Sequence, residues 1–158
     1  MDGKIVSIGN YKNGEKEGEE KYFRDGNISS IGIYINGKEE GEWKYYYGKD
    51  SLQTIYNYKE GSLNGSYKSF HENGQLNSII LFKGGKQEGF YKYYNLNGKL
   101  INLGNYKNDE KEGEWIDYYE NGKMNKVGIF RNGIEEGEWK TFYESGKVEI
   151  ISYYKEGQ

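Results

Sequence analysis

Glycine returns at a fixed interval along this chain, and the interval leaves few folds open. Gly18, Gly41, Gly65, Gly89, Gly113 and Gly137 are separated by 23, 24, 24, 24 and 24 residues. Each opens another copy of one unit, such as GEWIDYYENGKMNKVGIFRNGIEE from Gly113 to Glu136. A constant period in this range marks stacked supersecondary units, none of which can bury its apolar side alone. Residues 1–158 therefore read as a single repeat domain: a half copy at 1–17, copies at 18–40, 41–64, 65–88, 89–112 and 113–136, and an incomplete last copy at 137–158. Removing a whole copy such as Gly89 to Glu112 should leave a shorter folded array, whereas cutting by half a copy would join strands of the same type.

Aligned on its glycine, position six of every copy is aromatic: Phe23, Tyr46, Phe70, Tyr94, Tyr118 and Phe142. Position three is Trp43, Tyr67, Tyr91, Trp115 and Trp139, with Glu20 the exception. Aliphatics occupy position twelve (Ile5, Ile28, Leu52, Leu76, Leu100, Met124, Val148) and fifteen (Ile8, Ile31, Ile55, Ile79, Leu103, Val127, Ile151). Rings return at eighteen, from Tyr11 to Tyr154. Between these runs stand Asp25-Gly26, Asn73-Gly74, Asn97-Gly98, Asn121-Gly122 and Ser145-Gly146, with Asp2-Gly3 in the half copy and Lys49-Asp50 as a departure. A second turn is clearest at Asn13-Gly14, Asn36-Gly37 and Asn132-Gly133. Such dipeptides suit tight hairpins with positive φ.

The pattern predicts an all-β fold, an elongated single-layer antiparallel meander of repeated hairpins with about thirteen strands, extending roughly 60 Å. Helix is disfavoured because the glycines recur inside every window and no 3.6-residue stripe outlasts a turn. Spacings of three rather than two between the apolar positions require rings on both faces or a bulge that resets the register. Gly9, Gly32, Gly104 and Gly128, all at position sixteen, favour a bulge there.

Composition narrows function by exclusion. With 22 basic and 25 acidic residues spread through the copies, the net charge of −3 gives neither a nucleic-acid footprint nor a strong membrane signal. No apolar run approaches the length of a membrane span, so the chain as given reads as soluble, and its compartment is left open between cytoplasm and export. There are no cysteines, hence no disulfide framework and no thiolate chemistry. His71 is the sole histidine, at position seven of its copy, and reads as a substituted repeat position rather than a catalytic base. Glu17, Glu40, Glu88, Glu112 and Glu136 precede the unit glycines and read as solvated turn carboxylates, not as an acid–base pair. No catalytic residue, metal ligand or cofactor is expected, and the chain reads as a non-enzyme.

The motif Gly-x-Trp-x-x-Tyr-Tyr-x-Asn-Gly-Lys, followed by an apolar strand and Tyr-x-Asn-Gly-x-x-x-Gly, resembles the bacterial MORN repeat variant of proteins labelled YwqK-type antitoxins. The resemblance spans residues 2–158 and departs at Glu20 and at Lys49-Asp50. It implies a twisted sheet of stacked hairpins acting as a scaffold or binding surface, with a cognate toxin among the partners suggested by the family label.

Rings at positions six and eighteen are expected to hold the fold. Alternation places positions five and seven on the face of position three, so Trp43, Tyr45, Tyr47, Tyr67, Tyr91, Tyr93, Trp115, Tyr119, Trp139 and Tyr143 form the candidate binding strip. The leading reading is a protein-interaction or scaffold module. A cell-wall or glycan-binding array is the alternative, because those arrays also use short hairpins rich in Trp, Tyr and Gly. Open strand edges at both ends also suggest end-to-end self-association.

Overall fold

A computed structural model describes residues 4–49 and 51–158; the expected turn at Asp2-Gly3 and the Asp50 half of Lys49-Asp50 lie outside the described residues. Among the described residues every regular element is a strand. In chain order these are β1 (Ser7–Ile8), β2 (Tyr11–Lys12), β3 (Glu15–Lys16), β4 (Gly18–Arg24), β5 (Asn27–Ile35), β6 (Lys38–Gly48), β7 (Ser51–Lys59), β8 (Ser62–Leu63), β9 (Gly65–Phe70), β10 (Leu76–Lys83), β11 (Lys86–Tyr94), β12 (Leu100–Lys107), β13 (Glu110–Tyr118), β14 (Met124–Arg131), β15 (Ile134–Phe142) and β16 (Val148–Tyr154).

The strands form one open antiparallel sheet in the order β1-β4-β5-β6-β7-β9-β10-β11-β12-β13-β14-β15-β16, with β8 beside β7 and a small separate β2-β3 hairpin. The thirteen strands of that path are the expected meander. β8 is the start of the β9 strand, interrupted at Asn64, and β2 continues β1 beyond Gly9-Asn10.

Two bulges per copy explain the spacing of three. At the first, pairing of β5 with β6 jumps from Ile31↔Lys44 to Ile33↔Glu40, leaving Gly32 opposite the Gly41-Glu42-Trp43 segment. The same jump brackets Gly104 and Gly128, so the bulge expected at position sixteen is present there. The second was not anticipated. Tyr93↔Asn102 is followed by Tyr94↔Leu100, leaving Ile101 unpaired, and Ser29, Asn77, Asn125 and Glu149 are skipped in the same way. That extra residue places positions twelve and fifteen on one face together with the ring at six, while rings at three, five and eighteen share the other.

The two turns of each copy differ. The outer turns Asn13-Gly14, Asn36-Gly37, Asn132-Gly133 and Asn108-Asp109 have positive φ at both central residues, as a two-residue hairpin loop requires. In the inner turns only the glycine is left-handed: Gly74, Gly98, Gly122 and Gly146 have positive φ, but Asn73, Asn97, Asn121 and Ser145 do not. Backbone bonds from His71 N–H to the Gln75 carbonyl and from Gly74 N–H to the His71 carbonyl, both 2.8 Å, close a three-residue loop. Asp25-Gly26 is the exception, with both residues at positive φ between paired Arg24 and Asn27. Its two-residue loop is why that copy is 23 residues long rather than 24.

Candidate functional site

The core lies within one face of a single layer. Among the described residues the buried apolar side chains are Trp43, Trp115 and Trp139, at 2 %, 4 % and 5 % exposure. Each indole lies over position sixteen of the preceding copy, where a side chain would collide with it: Trp43 over Gly32, Trp115 over Gly104 and Trp139 over Gly128. The Trp43 and Trp115 indole N–H groups donate to the Ile33 and Asn105 carbonyls, each at 3.2 Å. Where position sixteen carries a side chain, the next ring is smaller: Tyr56 meets Tyr67 at 4.9 Å between centroids, and Ile80 pairs with Tyr91.

Glu20 occupies the same slot over Gly9 and is 3 % exposed. Lys16 accompanies it, donating from Nζ to Glu20 Oε1 at 3.3 Å and to the Tyr22 hydroxyl at 2.5 Å, with the ammonium also over the Tyr22 and Tyr34 rings. The departure at Glu20 is thus a paired charge in place of a ring.

Around this core the rings touch in series. Tyr22, Tyr34, Tyr45 and Tyr58 surround Trp43, with centroids 5.1 to 6.4 Å away. Tyr56, Tyr67 and Phe82 continue the lane. A second run passes from Tyr91 and Tyr106 through Trp115, Phe130 and Trp139 to Tyr154. Lys111 and Lys126 lie over the rings of Trp115 and Trp139 at 4.2 and 4.3 Å, and Lys126 reaches Glu135 at 3.3 Å. Contacts of this kind contribute about 0.5–1.5 kcal/mol per aromatic pair beyond burial.

The structure sorts the predicted strip into three groups. The three tryptophans are buried core and not displayed surface. Tyr45, Tyr67, Tyr91 and Tyr93 are half-buried, Tyr45 against Trp43, Tyr91 against Trp115 and Tyr67 against Tyr56 and Phe82. Position seven serves as a strut between neighbouring inner turns: the Tyr47 and Tyr119 hydroxyls donate to the Phe70 and Phe142 carbonyls at 3.1 and 2.6 Å. His71 Nε2–H does the same to the Tyr94 carbonyl at 2.9 Å, so this histidine is a repeat strut, as its position suggested. Tyr143, in the last copy, is exposed.

The recurring glutamates also bind structure. Glu17, Glu40, Glu88, Glu112 and Glu136 accept the backbone N–H of Asn36, Glu60, Asn108, Asn132 and Glu156 at 2.8 to 3.1 Å, tying each outer turn to the next. They are latches rather than merely solvated carboxylates. Their even recurrence ahead of each glycine was the available signal. Among the described residues no three His, Asp or Glu side chains gather as a metal site.

Burial is the largest cause raising the pKa of Tyr34, Tyr45, Tyr56, Tyr91 and Tyr106 above the usual tyrosine value, and it pushes Tyr58 up to about 12. The unfolded chain ionises these phenols near pH 10, roughly two units before folded Tyr58 does. Their contribution to stability is therefore complete below about pH 10 and declines above it, that of Tyr58 being lost as pH rises through about 12. Thermal melts should show a midpoint level from neutrality to about pH 9 that falls steeply above pH 10. A flat profile to pH 12 would mean these phenols are no more protected than in the unfolded chain.

The MORN repeat variant matches residues 63–83, 87–108, 111–132 and 135–156, and those segments follow the four hairpins β9–β10, β11–β12, β13–β14 and β15–β16. No curated protein matches the chain. Repeats of this kind suggest a repeat-based binding or scaffold module. Four consecutive matches over more than half the residues, in the register that the earlier copies share, show that the chain belongs to the MORN repeat variant family.

Proposed function

We propose that this chain is a non-enzymatic protein-interaction module whose half-buried tyrosines on the aromatic face receive a protein partner. The observation that carries the reading is that Tyr45, Tyr67, Tyr91 and Tyr93 are only half-buried on the face that buries the indoles, so part of each side chain is left for a partner. Amphipathic rings on a rigid support lose little conformational freedom on binding, and they concentrate interface energy. The glycan alternative has less to work with, because the largest stacking platforms, the tryptophans, are covered. The antitoxin label of similar repeats directs the search among proteins toward a toxin.

The test is affinity capture from the native source with the wild-type chain and with Tyr45→Ala/Tyr93→Ala. The wild type should retain a protein that the variant loses by at least tenfold, while circular dichroism shows the sheet in both. Retention by both equally, or specific binding to a glycan panel instead, would overturn the reading.

A further inference from the structure

The opposite face carries a charge pattern that the net charge conceals. At positions two and four, three copies place a glutamate beside a lysine and pair them: Glu19–Lys21 at 2.7 Å, Glu42–Lys44 at 3.1 Å and Glu138–Lys140 at 2.6 Å. In the two central copies the lysine stays and the glutamate is gone, leaving Ser66–Lys68 and Phe90–Lys92. Register sets Lys68, Ile79 and Lys92 side by side on β9, β10 and β11, with the lysines about 9.6 Å apart across two strands.

Four residues further along β10, about 13 Å at the usual strand rise, Lys83 pairs with Lys86 and makes a second cationic row. Between the rows lie Leu81 and Phe90, and Phe90 is 39 % exposed with the Lys92 ammonium 5.7 Å from its ring. Among the described residues none of these four lysines is in an ion pair within 4 Å. Glu88, in the same region, is committed to the Asn108 N–H.

We infer that this patch is a docking surface for an acidic protein segment with apolar residues at its centre and carboxylates on both flanks. Two lysine rows bracketing an apolar strip match such a segment lying along the strands, from one row to the other, and complementary charge gives it orientation and a fast encounter. An extended anionic surface is a poorer fit. The patch is small, the chain as a whole is acidic, and a membrane or nucleic acid would meet the glutamates of the outer copies at the same time. The surface lies opposite the tyrosines of the proposed function, so the sheet would take partners on both sides.

The probe is a fluorescein-labelled twelve-residue peptide with a central Leu-Phe-Leu and glutamates on either side, followed by anisotropy. Wild-type chain should bind it with affinity that falls about tenfold between low and physiological salt. Lys68→Glu/Lys92→Glu should weaken binding at least tenfold and Phe90→Ser several-fold. Lys21→Glu/Lys44→Glu and Tyr45→Ala/Tyr93→Ala should each change it less than twofold, with all variants retaining the strand spectrum. No binding by the wild type, equal loss from both lysine pairs, loss in the tyrosine variant, or binding to phosphatidylserine vesicles in place of the peptide would each overturn the proposal. The tyrosine variant separates this surface from the aromatic one: either can fail alone.

Discussion

Gly104→Ile should destabilise the sheet sharply, and adding Trp115→Tyr to the same chain should return most of what was lost. The Gly104 site has no room for a side chain because the Trp115 indole occupies it. Its backbone is extended, so the cost comes from collision and not from strain of φ. Overpacking of this kind costs about 1–3 kcal/mol, which for a chain of this size lowers the melting temperature by roughly 3–10 °C. Trp115→Tyr alone removes part of a buried ring that contacts Tyr91, Tyr106 and Phe130, and it too should lower the midpoint. Together the two substitutions rebuild a solution already present in the chain, the tyrosine–isoleucine–tyrosine series of Tyr67, Ile80 and Tyr91. Residues in contact show coupling of about 0.5–3 kcal/mol in a double-mutant cycle. Additive losses in the double variant would mean that ring size and position sixteen are unrelated.

That coupling also marks where the sequence stopped being readable. The period, the turn dipeptides and the absence of a helical stripe are local features, and the all-β meander with its strand count followed from them. The bulge at position sixteen followed from glycines that have no other reason to sit inside a strand. The burial of Trp43, Trp115 and Trp139 was hidden because each indole packs on the copy before its own; within one copy position three looks like an outward ring beside Tyr45 or Tyr93. The signal was present as a pairing between copies, glycine with tryptophan and a larger residue with tyrosine. The inner turns were half legible: their glycines are left-handed, but one extra loop residue relieves the asparagines of that conformation. The lysine patch was invisible to net charge, because it arises from two glutamates missing in a pattern rather than from lysines added.

Deleting one copy should then depend on which copy is removed, beyond the expectation that any whole copy can go. Loss of residues 113–136 brings Trp139 over Gly104, a matched pair, and lets Glu112 latch the turn that begins at Glu156. Loss of residues 89–112 preserves the latch in the same way, joining Glu88 to the turn at Asn132, but it brings Trp115 over Ile80. The two shortened chains keep the same number of strands, hairpins and glutamate latches, and the chain lacking 113–136 also gives up the Tyr119 strut and the Lys126–Glu135 pair, so a lower midpoint for the other chain reports the ring mismatch over and above those losses. The mismatch should cost about 1–3 kcal/mol, and the chain lacking 89–112 should melt roughly 3–10 °C below the chain lacking 113–136. Trp115→Tyr should close the gap in the first chain by converting its junction to isoleucine under tyrosine. Circular dichroism melts of the three proteins decide the matter. Equal midpoints for the two deletions, or a further fall on adding Trp115→Tyr, would show that the copies are held together by their turns and latches and not by the fit of each ring to the copy before it.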